Sequence, residues 1–461
     1  MDEQKSKKGI SRRQFLGGMA ATTAAFTIVP RHVLGGKGFI SPNDKLNIAV
    51  IGAGGKGRSD MYEVSTENIV ALCDVDDRKM TETLQRTRED VDRQDLANVL
   101  EKAPKYKDFR VMLDKEKNID AVTVSTPDHT HAVAAMAAMQ RGIHTFVQKP
   151  LTHSVTEARI LRDAAKKAGV ITQMGNQGHA GEGIRLISEW LADDAIGQVD
   201  EVYCWTNRPV WETGMDRPKE IPSVPPEMDW VLWLGPAPFR PYHPAYAPWS
   251  WRAWCDFGTG ALGDMGAHIF DIPYETLKLE YPTTIQASST KFNGDSWPVA
   301  EVIRYEFPAR GKMPPVKFTW YDGGMMPPRP EELEPGRRMG DSDGGVLYLG
   351  KKGKIMCGCY GSNPRIIPEA KMKAYTQPEK TIPRSPGIHQ EWVQSIKKGV
   401  QATSNFDYAS KLVETMMLGN IAVRMADKNI PLEWDGKKGE ITNLPEANEF
   451  LIRPYANGWS L

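Results

Sequence analysis

At 461 residues the chain exceeds the roughly 100–200 residues of one typical domain, so two folded domains are expected. Its 58 basic and 58 acidic side chains balance, and no basic block marks it as a partner of nucleic acid. The hydrophobic share of 40% is ordinary for a globular protein, and no uninterrupted apolar run reaches the roughly 18 residues that a membrane span needs.

The first segment, 1–35, has the layout of a targeting sequence. A lysine-bearing start leads into Ser11-Arg12-Arg13-Gln14-Phe15-Leu16 and then a weakly apolar run from Met19 to Val29. Paired arginines before a Phe-Leu step resemble a twin-arginine export signal, with Gly17 where a lysine is common. The expectation is a periplasmic or otherwise exported protein. The twin-arginine route carries folded proteins, so a cofactor could be loaded before export. The five cysteines, Cys73, Cys204, Cys255, Cys357 and Cys359, are odd in number and lack CxxC spacing, which favours buried free thiols over disulfides or zinc. On a strand, Cys357 and Cys359 would share a face.

From residue 44 to 170 short apolar runs alternate with longer periodic segments, the rhythm of βαβ units and a parallel sheet. Leu46–Ile51, Ile69–Cys73, Ala121–Val124 and His144–Val147 read as strands, and Ala132–Arg141 as a helix. Ligands of such a sheet gather beyond the carboxyl ends of its strands. There Gly52-Ala53-Gly54-Gly55-Lys56-Gly57 fits G-x-G-x-x-G in the strand-to-helix context that gives the motif meaning. Gly52 permits the tight turn, Gly54 a close approach to pyrophosphate, and Gly57 close helix packing. Asp74, ending the second strand, is placed to bind a ribose 2′-hydroxyl, which favours NAD. Arg58 and Arg78 leave NADP possible. The loop Ser125-Thr126-Pro127-Asp128-His129-Thr130-His131 offers Ser125, Thr126 and His131 to the cofactor, with His129 open to a solvated role.

Residues 171–461 read as a second, α+β domain. Prolines cluster between Pro209 and Pro248, and seven of the 13 tryptophans fall between Trp205 and Trp254, suggesting an aromatic-walled cleft. Asp256-Phe257-Gly258-Thr259-Gly260-Ala261-Leu262-Gly263-Asp264-Met265-Gly266-Ala267-His268 places Asp264 and His268 four apart on one helical face. A carboxylate so placed can orient an imidazole, and an oriented imidazole can take a hydroxyl proton. No third ligand at diagnostic spacing supports a metal there. Further polar candidates for substrate are His153, Asn176 and His179, with Trp249 as an aromatic face for sugar. Gln390–Lys397 and Ala409–Met425 have helical periodicity and are expected to pack back across the domain junction.

Gln148-Lys149-Pro150, ending a strand of the first domain, resembles the Glu-Lys-Pro motif of the glucose–fructose oxidoreductase, inositol dehydrogenase and MocA-like (Gfo/Idh/MocA) oxidoreductases, with glutamine for glutamate. The glycine fingerprint and the Asp-x-x-x-His segment fit the same family, over roughly residues 46–430. The resemblance implies an N-terminal Rossmann domain and a C-terminal α+β domain with a large open, mostly antiparallel sheet that often pairs subunits into homo-oligomers. It implies that Lys149 faces nicotinamide and substrate, that Asp264 and His268 are catalytic acid/base groups, and that Trp251 and Arg252 border the cofactor. The expected activity is hydride transfer between a sugar or polyol hydroxyl carbon and a tightly bound nicotinamide. Two alternatives remain: a redox-neutral glycosidase or lyase that oxidises transiently, eliminates and returns the hydride, and a sensor without turnover.

Overall fold

Apolar β-branched runs at Asn47–Ile51 (β1), Asn68–Cys73 (β2), Ala121–Val124 (β4) and His144–Val147 (β5) are buried on both faces, as a parallel sheet covered by helices requires. In the computed structural model, which describes residues 44–461, they join Lys105–Tyr106 (β3) and Thr172–Met174 (β6) in a six-stranded parallel sheet of order β3-β2-β1-β4-β5-β6. The export segment lies outside the described residues. The sheet extends through Met174, just past residue 170. The direction of winding reverses between β1 and β4, so their carboxyl ends open a crevice at the switch point.

The second sheet is nine-stranded, built from Val199–Thr206 (β7), Thr284–Ser289 (β8), Glu301–Phe307 (β9), Val316–Tyr321 (β10), Gly344–Gly350 (β11), Lys354–Gly358 (β12), Arg365–Ile367 (β13), Leu432–Asp435 (β14) and Glu440–Ile441 (β15). Its order is β13-β12-β11-β7-β10-β9-β8-β14-β15, and only the β7–β10 pairing is parallel. Strand β9 alternates buried and outward residues, the signature of a sheet with one covered face.

Five helices matter for the site. Gly55–Glu63 (α1) follows the glycine loop, and Asp128–Met139 (α2) is buried at all positions but Ala137, which explains its lack of a polar stripe. Val155–Ala168 (α3) starts at a capping box in which Ser154 Oγ accepts from the Glu157 N–H and Glu157 accepts from the His153 N–H. Gly260–Ile269 (α4) is buried along its whole length. Phe406–Arg424 (α5) packs on α3, α4 and β8, and its Glu414 holds Arg159 of α3 in a two-pronged ion pair at 2.6 and 2.7 Å. One apolar cluster runs through both sheets, and residues 46–461 form one compact unit. Among the described residues no helix is long and apolar enough to cross a membrane. All five cysteines are free and buried; β12 ends at Gly358, so Cys359 lies beyond the strand that carries Cys357.

The tryptophan-rich stretch does not wall a cleft. Trp230, Trp233, Trp251 and Trp254 pack with Tyr242, Tyr246 and Phe257 into a local core, whereas Trp249 is 68% exposed. Ring stacking and edge contacts satisfy the first group without a ligand, Trp230 lying flat on Trp233 at 4.7 Å.

Candidate active site

At the switch point the glycines are demanded by contact. Gly52 has φ +83°, and a Cβ there would lie 2.8 Å from the Ser125 carbonyl carbon. A Cβ on Gly57 would fall 1.7 Å from the Gly52 carbonyl oxygen, so the helix reaches the strand only without a side chain. Gly57→Ala is accordingly expected to lower the melting temperature and abolish NAD binding, measured by thermal unfolding and by dinucleotide titration. Gly54 is the N-cap of α1 and no side chain caps the helix, leaving N–H groups and the positive dipole end for a pyrophosphate. Asp74 accepts from the N–H groups of Gly54 (3.1 Å) and Asp76 (3.0 Å), which aims its carboxylate at this loop. Burial raises the Asp74 pKa to about 6 against those hydrogen bonds. Arg78 is committed to Asp76 at 2.6 and 2.8 Å, and Arg58 faces Glu82 at 3.5 Å. The residues present thus fit a dinucleotide with a free ribose hydroxyl better than one with a 2′-phosphate.

Next along the strand edge, a buried carboxylate organises the loop ends. Asp60 of α1, fully buried, receives Ser125 Oγ at 2.8 Å, Gln148 Nε2 at 2.9 Å, His389 Nε2 at 2.9 Å and Lys56 Nζ at 2.5 Å. Burial alone would raise its pKa; the bonds from His389 and Lys56 outweigh that and lower it. Gln148 therefore donates where a glutamate would set carboxylate against carboxylate. The Ser125 hydroxyl proton is donated to Asp60, which leaves its oxygen free only to accept.

Lys149 reaches across to α4, its Nζ donating to Asp264 Oδ1 at 2.7 Å and to the Asp264 carbonyl at 2.8 Å. Two of the three ammonium protons are used and one remains. Arg252 Nε lies 3.1 Å from the same Oδ1 and Arg208 Nε 4.0 Å from Oδ2, while the Arg252 guanidinium stacks on Trp251 at 4.1 Å. Burial alone would raise the Asp264 pKa; Lys149 and Arg252 outweigh it and hold the carboxyl far below its ordinary value. Burial, with Arg252 adding, lowers the lysine, and Asp264 opposes this. His268 is 2% exposed, its Nδ1 has no partner, and Tyr360 packs edge-on to its ring at 4.6 Å. Burial and then Lys149 push its pKa well down, so the imidazole is neutral.

This corrects the expected Asp264–His268 couple. The two share a helical face, but the carboxylate is taken by the cations of Lys149 and Arg252, and no hydrogen bond joins it to the imidazole. Other candidates are also reassigned. His131 is buried with Nδ1 on the Pro150 carbonyl (2.7 Å) and Nε2 on that of Thr126 (2.8 Å), leaving no ring nitrogen for a cofactor. Thr126 Oγ1 accepts from Thr130 Oγ1 at 2.8 Å. His129 is buried, not solvated, between the carbonyls of Phe257 and Trp233. His179 pairs with Asp271 at 2.9 Å, and Tyr408 donates to the same carboxylate oxygen at 2.7 Å. Buried Asn176 accepts from Ser404 at 2.7 Å and keeps an unpartnered amide nitrogen. His153 lines a different cavity, which does not include Lys149, Asp264 or His268. Trp249 points to solvent. Arg208 comes from a loop and Tyr360 from the short 3-10 turn Cys359–Gly361, neither with a motif; only the fold brings them to this centre.

Comparison with known proteins agrees with this architecture. Residues 46–176 match the model of the oxidoreductase family with an NAD-binding Rossmann fold, and residues 196–309 match that of its C-terminal alpha/beta domain. Levoglucosan dehydrogenase of Pseudarthrobacter phenanthrenivorans is 25% identical over 166 residues, 36% of this chain and 34% of that protein. 2,7-Anhydro-N-acetylneuraminate hydratase of Mediterraneibacter gnavus is 28% identical over 100 residues, 22% of this chain and 26% of that protein. These alignments thus span about a third or less of the curated relatives' length. Among solved structures, GenD2 from gentamicin A biosynthesis in complex with NAD superposes with a TM-score of 0.57 at 19% identity, over 89% of this chain and 100% of that one, a likeness of fold. With both family models matched in order along the two sheets, the chain belongs to the Gfo/Idh/MocA oxidoreductases, and its first domain is their NAD-binding Rossmann domain.

Proposed function

We propose that the protein is an NAD-dependent oxidoreductase acting on a CH–OH group of a sugar or polyol. The observation that carries this is the juxtaposition, beside the dinucleotide edge, of a lysine ammonium with one free proton and a neutral buried imidazole with an unpartnered nitrogen. Bound NAD supplies the hydride acceptor. Lys149 hydrogen-bonds the substrate oxygen through its remaining N–H and stabilises alkoxide charge as it develops. His268 accepts the hydroxyl proton, and with NAD bound as hydride acceptor the carbinol would be left as a carbonyl. Asp264 keeps Lys149 charged in a site where burial favours the neutral amine. Preference for NAD over NADP follows from Asp74 and the engaged arginines. Affinity for NAD should weaken as pH falls through about 6, because protonation of Asp74 removes an acceptor from the ribose. Titrations of NAD and NADP across pH test both statements, and tighter NADP binding would overturn the first.

A second reading is favoured by the hydratase among the relatives. In it the carbonyl formed at this centre acidifies the neighbouring C–H, a substituent is eliminated, and the hydride returns. Product analysis with a glycoside separates the two: a ketone means net dehydrogenation, while a released aglycone without lasting change in the cofactor means the redox-neutral route. The twin-arginine segment adds an expectation for the whole protein. Outside the cytoplasm free dinucleotide is scarce, so the cofactor should stay bound through many turnovers and be reset in place. Lysines at Arg12 and Arg13 should trap the loaded protein inside the cell, and mass spectrometry of the periplasmic protein should find nicotinamide. A homo-oligomer assembled through the open sheet belongs to the same proposal.

A further inference from the structure

A second cavity of about 340 Å³ lies between α5, the loop after Lys149-Pro150 and the C-terminal segment, and the chemistry described above does not use it. Its volume is at the small end of the range for small-molecule sites, about 300–1,000 Å³. Its dominant group is Arg424, which makes no ion pair or hydrogen bond among the described residues and rests against aromatic rings, 5.0 Å from Phe450 and 5.1 Å from Trp297. The Trp297 ring is pinned by its own N–H to the Gly258 carbonyl at 2.8 Å. On the wall, Asn420 is 5% exposed and donates through Nδ2 to the Thr259 carbonyl at 3.1 Å, which fixes its amide and leaves Oδ1 buried without a donor. His153 Nε2 is likewise buried and unpartnered. Burial holds that imidazole neutral. Unsatisfied polar atoms of this kind cost free energy unless a partner arrives.

We infer that this cavity is a binding site for a sugar acid of monosaccharide size, its carboxylate on Arg424, its hydroxyls on Asn420 Oδ1 and His153 Nε2, and its C–H face on Trp297. A guanidinium fork matches a carboxylate in two parallel hydrogen bonds. One unpaired cation neutralises one negative charge. A phosphate dianion fits less well, because the other cation on the wall, Arg453, is engaged by Glu157 at 3.5 Å and by the His129 carbonyl at 3.1 Å, while Asp256 and Glu449 add negative charge to the lining. The site adjoins the reacting centre through the chain: His153 is three residues past Pro150, and Thr259, held by Asn420, is the N-cap of α4.

The test is calorimetric titration of the full, NAD-loaded protein with D-gluconate, D-glucose and D-glucose 6-phosphate. Gluconate should bind, and the neutral sugar and the phosphate ester should each bind at least about tenfold more weakly. Arg424→Gln should weaken gluconate by about tenfold or more, Arg424→Lys by less, and His153→Phe, which fills the cavity, should block it. Lys149→Met should leave gluconate affinity within about twofold, since that residue belongs to the other site. Absence of gluconate binding, undiminished binding by both folded Arg424→Gln and His153→Phe, loss in Lys149→Met, or tighter binding of the phosphate ester would each overturn the assignment.

Discussion

Replacing Lys149 by alanine is expected to slow hydride transfer by about 10³-fold or more while changing NAD affinity only a few-fold. Among the described residues the side-chain hydrogen bonds of the lysine run to α4 and not to the glycine loop. The fold should tolerate the change, because Arg252 still lies 3.1 Å from the Asp264 carboxylate left behind. Single-turnover reduction of bound NAD by a sugar that supports wild-type turnover measures the rate, and dinucleotide titration the affinity. His268→Ala should cause a loss of about 10²–10⁴ by removing the proton acceptor. Asp264→Asn acts differently: it removes the charge that opposes desolvation of Lys149, so the lysine pKa should fall further and the pH–rate profile should move with it. A variant with nearly full single-turnover rate would remove that residue from the chemistry.

Gln148→Glu, a change toward the family's own motif, should be among the most damaging single substitutions in the Rossmann domain. Gln148 Nε2 lies 2.9 and 3.0 Å from the two oxygens of fully buried Asp60. A glutamate there sets two carboxylates in contact away from water, a cost of about 3 kcal/mol at neutral pH. The sign with pH is definite. The like charge raises the folded-state pKa of the new carboxyl above its unfolded value of about 4.3, so the deficit is small near that pH and grows as pH rises. Melting temperatures of variant and parent should therefore diverge from pH 5 to pH 8. Asp60→Asn combined with Gln148→Glu restores one charge and one amide, and should recover most of the loss. A double variant no more stable than Gln148→Glu would show that the two side chains are not coupled.

This pair shows where sequence reasoning stopped. The Gln-Lys-Pro step was recognisable as a departure from Glu-Lys-Pro, but its reason lies 88 residues away on α1 and on His389, in a helix from the far end of the chain. No local pattern links Asp60 to either. The helical periodicity of Asp264 and His268 likewise placed both on one face correctly. It could not show that Lys149 and Arg252 would capture the carboxylate, since a charge partner from another element outcompetes a neighbour that is neutral when buried. The tryptophan cluster misled for a related reason: aromatic side chains satisfy one another in a core as well as they stack on a ligand, and composition does not separate the two.

By itself the sequence determined the βαβ rhythm, the glycine turn with Asp74, and Lys149 at a strand end, because these depend on local backbone demands. Period-2 and period-3.6 burial, a positive φ at Gly52, and the lack of room for a Cβ at Gly57 each restrict the residue at one position. The short strands β3 and β6, of two and three residues, were beyond it, since they are held by neighbours and not by their own pattern. Tertiary structure alone decided which polar groups meet. It carried His153 into a separate cavity with Arg424, sealed His131 between two carbonyls, and brought Arg208 and Tyr360 from distant segments to the Lys149 centre. Hydrogen bonds and ion pairs act over a few ångströms in space, and positions far apart in the chain become neighbours only when the two sheets have packed into one core.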